Sequence, residues 1–206
     1  AINDKTAAIF WFQGGMTGRG DLPIETVIEI ANRHDVPVVV DGAAQLPPKE
    51  NLWKWTQMGA SLAVFSGGKD LNGPQSSGLV LGRKDLIEAI RPNGSPNHSI
   101  GRPMKVGKEE MVGLLKAVEL YMANDEEARR SQDEETVAGW CAALNNVAGV
   151  NAQRSFPNEA GQPLPRALVT IDAAKVGKSR DKIVDELLSG SPAISVSTSG
   201  ADGIYL

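Results

Sequence analysis

The sequence has few of the residues from which disulfide frameworks and metal sites are built. Its 206 residues include one cysteine, Cys141, and two histidines, His34 and His98. A single cysteine excludes an intrachain disulfide, and so few cysteines and histidines disfavour a zinc site, so we expect no metal. The low cysteine content fits a reducing compartment, and we therefore expect a cytoplasmic protein.

Long apolar runs and an excess of positive charge are also missing. No run approaches the roughly 20 residues of a membrane-spanning helix, and no signal peptide is apparent in the sequence. The formal net charge is −4 and the isoelectric point is about 5.3. This charge disfavours a general nucleic-acid or membrane-surface binder. Aromatic residues are only 5% of the chain, but hydrophobic residues make up 41%, which is enough for a packed core.

The first half of the chain contains an alternation of strand and helix patterns. Short apolar runs predict strands in residues 6–12, 36–43 and 61–65. Between them, apolar residues at helical spacing predict a helix in residues 22–34, with Asp21 before it as a cap, and a second helix is predicted within residues 49–59. Strands that alternate with helices predict an α/β fold with a mostly parallel sheet and right-handed crossovers.

The rest of the chain divides into a helical stretch and a smaller α+β unit. We expect residues 1–105 to form part of a large domain, residues 106–147 to form connecting helices with a break near Asn124, and residues 148–206 to form a small, incomplete C-terminal α+β domain. Because the chain opens and closes within predicted strands, we also expect it to be a fragment of a longer protein.

Two polar residues follow neighbouring predicted strands. Asp41 ends the run VPVVVD, and Lys69 comes shortly after the run SLAVF. They are one strand–helix–strand unit apart, so both can face one crevice beyond the carboxyl ends of the strands, where α/β proteins bind ligands. One interpretation is a structural ion pair between the two side chains, and the other is a cofactor site.

Pyridoxal phosphate is the cofactor that needs this pair of groups. A lysine amine forms a Schiff base with its aldehyde, and an aspartate carboxylate pairs with its protonated ring nitrogen. The neighbouring residues suit such a site, because Ser66 offers a hydroxyl to a phosphate, and Gly67 and Gly68 permit close approach of the backbone. From these residues alone, the cofactor site and the structural ion pair remain equally open.

Two ordered motifs, VVVDGAAQLPP and AVFSGGKDLNGPQSSGLVLGRK, resemble the large-domain core of the fold-type-I pyridoxal-phosphate enzymes. With SIGRPMKVGKEEMVGLLKAVELY, they more narrowly resemble the L-seryl-tRNA(Sec) selenium transferase-like family and its D-glucosaminate-6-phosphate ammonia-lyase branch. The resemblance covers nearly the whole chain. It implies a mixed, mostly parallel sheet with helices on both faces, followed by a small α+β domain. The family's pattern also begins upstream of Ala1, so we expect the amino-terminal part to be lacking.

The resemblance implies roles for individual residues. Lys69 matches the lysine that forms the Schiff base with the cofactor, and Asp41 matches the aspartate at the pyridine nitrogen. Ala43 matches the position packed against the ring face, and Ser66 matches a phosphate ligand. Gly68 is expected to bring its backbone close to the cofactor.

The residues that would contact a substrate are less clearly marked. Arg102 suits a substrate carboxylate or phosphate, and His98 suits proton transfer near neutral pH, but both also fit an ordinary exposed loop. The glycine-rich residues 14–20 either line the substrate side or form a flexible connection. Gln45 and residues 73–75 lie close to the motifs, and a turn-forming role is favoured for them.

The implied activity is Schiff-base chemistry on an amino acid or amino-sugar acid, with α,β-elimination of the ammonia-lyase type as the first hypothesis. Selenium transfer to seryl-tRNA, aminotransfer and racemisation are alternatives on the same scaffold. The acidic charge and the lack of a basic patch disfavour nucleic acid as a partner. A hypothesis from another class is an inactive fragment or interaction module that retains Lys69. The family also implies a homodimer or larger assembly.

Overall fold

A computed structural model describes residues 1–14, 21–200 and 202–206. Within these ranges, no helix is both long enough and apolar enough to cross a membrane. The described residues form two compact units.

The first unit comprises residues 1–124 and 159–162. Its strands are β1 (Ile9–Phe12), β2 (Val38–Asp41), β3 (Leu62–Ser66) and β4 (Gly78–Gly82); its helices are α1 (Ile24–Arg33), α2 (Asn51–Gln57), α3 (Lys84–Ile90) and α4 (Lys108–Ala123), with a 3₁₀ turn at Arg91–Asn93.

The strands of the first unit form one mixed sheet in the order β1-β2-β3-β4. β1, β2 and β3 are parallel neighbours, and α1 and α2 connect them. β4 pairs antiparallel with β3 after a connection formed by residues 67–77. The predicted mostly parallel sheet is therefore present. Its antiparallel strand is β4, which follows β3 without a helix between them.

One face of this sheet is closely packed. Side chains alternate between the faces of a strand, and on this face Val38 and Val40 are fully buried. Trp55 of α2 stacks against Phe65 of β3 with ring centroids 5.8 Å apart. Helices α1, α2 and α4 all contribute buried side chains to the core on this face, among them Ile28, Ala31, Leu52, Leu114 and Tyr121.

The opposite face carries apolar side chains that lie outside this core cluster, and we call it the open face. It is defined by Phe10, Phe12, Val39, Val64 and Val80. Phe10 pairs in register with Val39, Val64 pairs in register with Val80, and Phe12 is two residues beyond Phe10 on the same strand. Phe10 and Phe12 are 53% and 55% exposed. Parallel sheets are normally covered on both faces. The helices that complete the core all pack on one face of the sheet. Helices on the second face therefore stay a prediction.

Two neighbouring valines of β2 test this assignment of faces. Val40→Ala is expected to lower the free energy of unfolding by about 2 kcal/mol, because it removes fully buried methyl groups and leaves a cavity. Val39→Ala, on the open face, is expected to cost less than about 1 kcal/mol. Urea unfolding of both variants measures the difference, and equal costs would contradict the assignment.

The second unit comprises residues 125–158 and 163–206 and contains an antiparallel sheet in the order β5-β6-β8-β7. Its elements are α5 (Glu126–Leu144), β5 (Val150–Ser155), β6 (Arg166–Ile171), α6 (Ala173–Val176), α7 (Arg180–Leu188), β7 (Ser197–Ser199) and β8 (Gly203–Tyr205). Val137 of α5 joins Val169, Ile171 and Ile204 in its core.

The helical stretch breaks where the sequence predicts. The Asp125 carboxylate accepts two backbone N–H bonds at the start of α5. The two helices on either side of this break belong to different units, α4 to the first and α5 to the second. The division of the protein into domains 1–105, 106–147 and 148–206 stays a prediction.

Candidate functional site

Asp41 lies at the carboxyl end of the parallel strand β2, and its side chain is oriented by the following turn. Its Oδ1 accepts a hydrogen bond of 2.9 Å from the backbone N–H of Ala43. The next residue continues the sheet, because the Gly42 N–H donates to the Val64 carbonyl at 2.9 Å. Among the described residues, Asp41 Oδ2 has no hydrogen-bond partner, so one carboxylate oxygen is available to a ligand.

Ser66 lies on the same face of the sheet as Asp41. Asp41 is in register with Val64 of β3, and Ser66 is two residues further along that strand. Side chains two residues apart on a strand share a face. A carboxylate and a hydroxyl therefore stand on the open face, at the carboxyl ends of neighbouring parallel strands.

Lys69 lies in the turn that follows β3, and it is exposed. Its amine has no hydrogen bond or ion pair with any residue in the described ranges, and Asp41 likewise has no ion pair there. The interpretation of Asp41 and Lys69 as a structural ion pair is thus wrong for this structure, in which no such pair forms.

The glycines around Lys69 are explained by neighbouring protein atoms. A Cβ built on Gly67 would lie 2.0 Å from Ser77 Oγ, and one built on Gly68 would lie 2.6 Å from the Cα of Gln75. Such distances are far below van der Waals contact. These close contacts are with the returning chain of the hairpin, and the expected approach of the Gly68 backbone to a cofactor stays a prediction.

The packing at Gly67 yields a stability prediction. Gly67→Ala is expected to destabilise the chain by roughly 1–3 kcal/mol, because the added methyl group overlaps Ser77 Oγ. Removing that oxygen in the double variant with Ser77→Ala is expected to recover part of the loss. Thermal unfolding of the three variants measures this coupling, and additive effects would contradict the packing argument.

Arg102 and His98 lie in the connection between α3 and α4. Arg102 is half-buried, and its Nη1 donates to Ser95 Oγ at 3.4 Å. His98 is exposed. In the described ranges neither side chain forms a hydrogen bond or ion pair with Asp41 or Lys69. Residues 15–20, which the sequence suggested for the substrate side, lie outside the described residues.

Comparison with protein families identifies the family to which the chain belongs. The family model described as SelA, L-seryl-tRNA selenium transferase, matches residues 15–148. This range includes both motifs that carry Asp41 and Lys69. The chain belongs to the SelA family.

Two curated relatives extend the match to nearly the whole SelA-family chain. It is 36% identical over 196 residues to a 5'-C-glycyluridine monooxygenase-decarboxylase of Streptomyces, covering 94% of this chain and 47% of the relative. It is 32% identical over 195 residues to the D-glucosaminate-6-phosphate ammonia lyase of Salmonella typhimurium, covering 94% and 49%. The chain thus spans about half the length of these curated relatives.

A solved structure gives the same result for the fold. The structure of D-glucosaminate-6-phosphate ammonia-lyase superposes on all of this SelA-family chain with a TM-score of 0.79 and 31% identity, and the match covers 53% of that protein. The resemblance drawn from the motifs and the predicted fold class are both confirmed.

In this neighbourhood the sequence predicts only a turn-forming role for Gln75 and no role for Ser76 or Glu110. Gln75 Nε2 donates to the Gly68 carbonyl at 2.9 Å. Ser76 Oγ donates to Glu110 Oε1 at 2.5 Å. This hydroxyl, with the amide of Gly107, holds the pKa of the Glu110 carboxyl below its ordinary value. The GPQSS sequence after Lys69 indicates a turn. It does not indicate the partners of that turn, because Glu110 is distant along the chain and the contact with Gly68 depends on how the turn folds.

Proposed function

We propose that this SelA-family chain carries the cofactor and reaction centre of a pyridoxal-phosphate-dependent enzyme that acts on an amino acid or amino-sugar acid. The observation that carries the proposal is the arrangement at the ends of β2 and β3. Asp41 and Ser66 share the open face there, and Lys69 stands in the next turn with an amine that pairs with none of the described residues.

The groups present fit the cofactor. When bound, pyridoxal phosphate supplies an aldehyde for Schiff-base chemistry and a protonated ring that withdraws electrons from the substrate Cα. The chain offers an amine and a carboxylate oxygen that no described residue engages, and a hydroxyl on the same sheet face as that carboxylate. Each is the type of group that one part of the cofactor requires.

Each residue then has a role that follows from its chemistry. Asp41 Oδ1 is engaged by the Ala43 amide, so Oδ2 is the oxygen that pairs with the ring nitrogen and favours its protonated form. Ala43 would pack against the ring, and Ser66 and the Gly68 backbone would hold the phosphate end. Lys69 holds the cofactor and afterwards moves a proton at the substrate Cα.

The segment between α3 and α4 supplies the proposed contacts to the substrate. Arg102 uses only Nη1 in its hydrogen bond to Ser95, and its remaining N–H groups can bind a carboxylate or phosphate of an amino-acid-like substrate. His98 is exposed and able to exchange protons with that substrate. The partner is accordingly a small molecule.

Elimination of ammonia is the reaction we favour. It is supported by the ammonia-lyase structure that superposes on the entire chain. A second candidate is supported by the 36% identity to the Streptomyces relative, whose name describes oxidation with decarboxylation. Selenium transfer, aminotransfer and racemisation use the same groups, and an inactive interaction module is the alternative from another class.

An assay of the products separates these reactions. The chain with pyridoxal phosphate is incubated with phosphorylated amino-sugar acids, and ammonia, 2-keto acid, carbon dioxide and oxygen uptake are measured together. Equal release of ammonia and keto acid without oxygen uptake supports elimination. Carbon dioxide with oxygen uptake supports the second candidate. No product from any amino-acid-like substrate would contradict the enzymatic proposal.

The assembly and location are further proposals. We propose a homodimer or larger homo-oligomer, by analogy with the family, and light scattering of the purified chain measures its mass. A mass of one chain would contradict this. We also propose a cytoplasmic location, which is supported by the single cysteine; fractionation of cells that make the protein tests it.

A further inference from the structure

The connection between β3 and β4 is an ordered turn rather than a flexible link. The Gly67 N–H donates to the Ser77 carbonyl at 2.9 Å, which extends the β3–β4 ladder by one step. The Gly73 N–H then donates back to the Gly67 carbonyl at 2.8 Å. These bonds close residues 67–73 into a loop, and Lys69 lies within it.

Both peptide units next to the Lys69 Cα are held by hydrogen bonds. The carbonyl of Lys69 itself accepts from the Asn72 N–H at 2.9 Å. The carbonyl on the other side, that of Gly68, accepts from Gln75 Nε2 at 2.9 Å. The direction in which the Lys69 side chain leaves the backbone depends on these two peptide planes. Among the contacts of the described residues, a side chain holds the Gly68–Lys69 peptide unit, and that side chain is Gln75.

Gln75 is itself held in position. Its loop, residues 73–77, packs on α4 through Pro74, which leaves no room for a Cβ at Gly113 because the ring Cγ would lie 2.9 Å away. The same loop is tied to the first turn of α4 by the hydrogen bond from Ser76 Oγ to Glu110 Oε1. The Gln75 amide therefore acts from a loop that is anchored to a helix.

We propose that Gln75 is a positioning residue for Lys69. Its amide fixes the Gly68–Lys69 peptide plane and thereby directs the lysine amine toward the open face that bears Asp41. The inference rests on the proposed function, since it assigns Lys69 to the cofactor. Gln75 does not contact the reacting atoms and acts through the backbone of the turn.

The test compares two reactions of the Lys69 amine. The first is the rate at which Lys69 is trapped by pyridoxal phosphate and borohydride, which requires the amine to be directed correctly. The second is its acetylation by a small neutral reagent, which requires only accessibility. Gln75→Glu keeps the size of the side chain but removes the donor. We expect trapping on the order of tenfold slower, with acetylation changed by less than about twofold because Lys69 remains exposed.

Matched variants make the result specific. Gln132→Glu, the same chemical change on α5, is expected to trap at the rate of the unaltered chain. Gln75→Asn keeps the amide on a shorter side chain and is expected to fall between the unaltered chain and Gln75→Glu. Circular dichroism establishes that each variant is folded.

The outcomes separate the two levels of the proposal. Unchanged trapping in Gln75→Glu, or an equal slowing of trapping and acetylation, would overturn the positioning role while leaving the proposed function intact. An unaltered chain in which Lys69 is not trapped at all would overturn the proposed function and this inference with it.

Discussion

Lys69→Arg is expected to abolish the visible absorbance that develops when pyridoxal phosphate is added to the chain, and to lower turnover by about 10³-fold or more. A guanidinium stays protonated at working pH and does not condense with the aldehyde. Because Lys69 is exposed and forms no ion pair with the described residues, the substitution removes chemistry without removing a structural contact. Absorbance titration and the product assay measure both effects.

Lys54→Arg is the matched control for this prediction. Lys54 is also exposed, but it lies on α2. It is expected to keep the absorbance and the turnover of the unaltered chain, and the unfolding temperatures of both variants are expected to match that of the parent. Full activity in Lys69→Arg would exclude Lys69 as the cofactor lysine and would leave the turn around it without a catalytic role.

Asp41→Asn is expected to lower turnover by roughly 10²-fold or more while trapping on Lys69 continues. The amide oxygen of asparagine can still accept the hydrogen bond from the Ala43 N–H, so the turn after β2 is retained. What is lost is the negative charge that favours the protonated ring nitrogen. The separation of turnover from trapping distinguishes an electronic role from a structural one.

Asp35→Asn is the control for the loss of a carboxylate. Asp35 adopts a left-handed conformation with φ of 53°, which asparagine tolerates well. It follows α1 and is exposed, so we expect no change in turnover. If Asp41→Asn retained full turnover, or if it lost trapping and stability together, the assignment of Asp41 to the ring nitrogen would be wrong.

Much of the sheet that carries the candidate site could be predicted from sequence because its signals are local. The β-branched run before Asp41 and the apolar run before Lys69 each predict a buried strand, and both strands form, as β2 and β3. A polar residue shortly after a buried strand then indicates the edge of a parallel sheet at which ligands bind. The match of motifs to a family added roles that strand patterns alone do not contain.

Other features could not be predicted because they depend on contacts distant along the chain or on the fold of a loop. β5 carries no clear strand pattern in the sequence, because its residues are mostly polar and only Ala152 is buried. Gln75 leaves no room for a side chain at Gly68. The loop that contains Gln75 is anchored by Glu110, which lies 34 residues beyond its partner Ser76. Phe10 and Phe12 alternate along β1 with residues that pack against the core. This alternation indicates an open face only when the helices are known to pack on the opposite face of the sheet.

The most direct test of the central claim is to locate the cofactor on the chain. The purified protein is mixed with pyridoxal phosphate, reduced with borohydride, digested and mapped by mass spectrometry. We expect one adduct, on the peptide that contains Lys69. No adduct, or adducts scattered over exposed lysines such as Lys54 and Lys84, would contradict it.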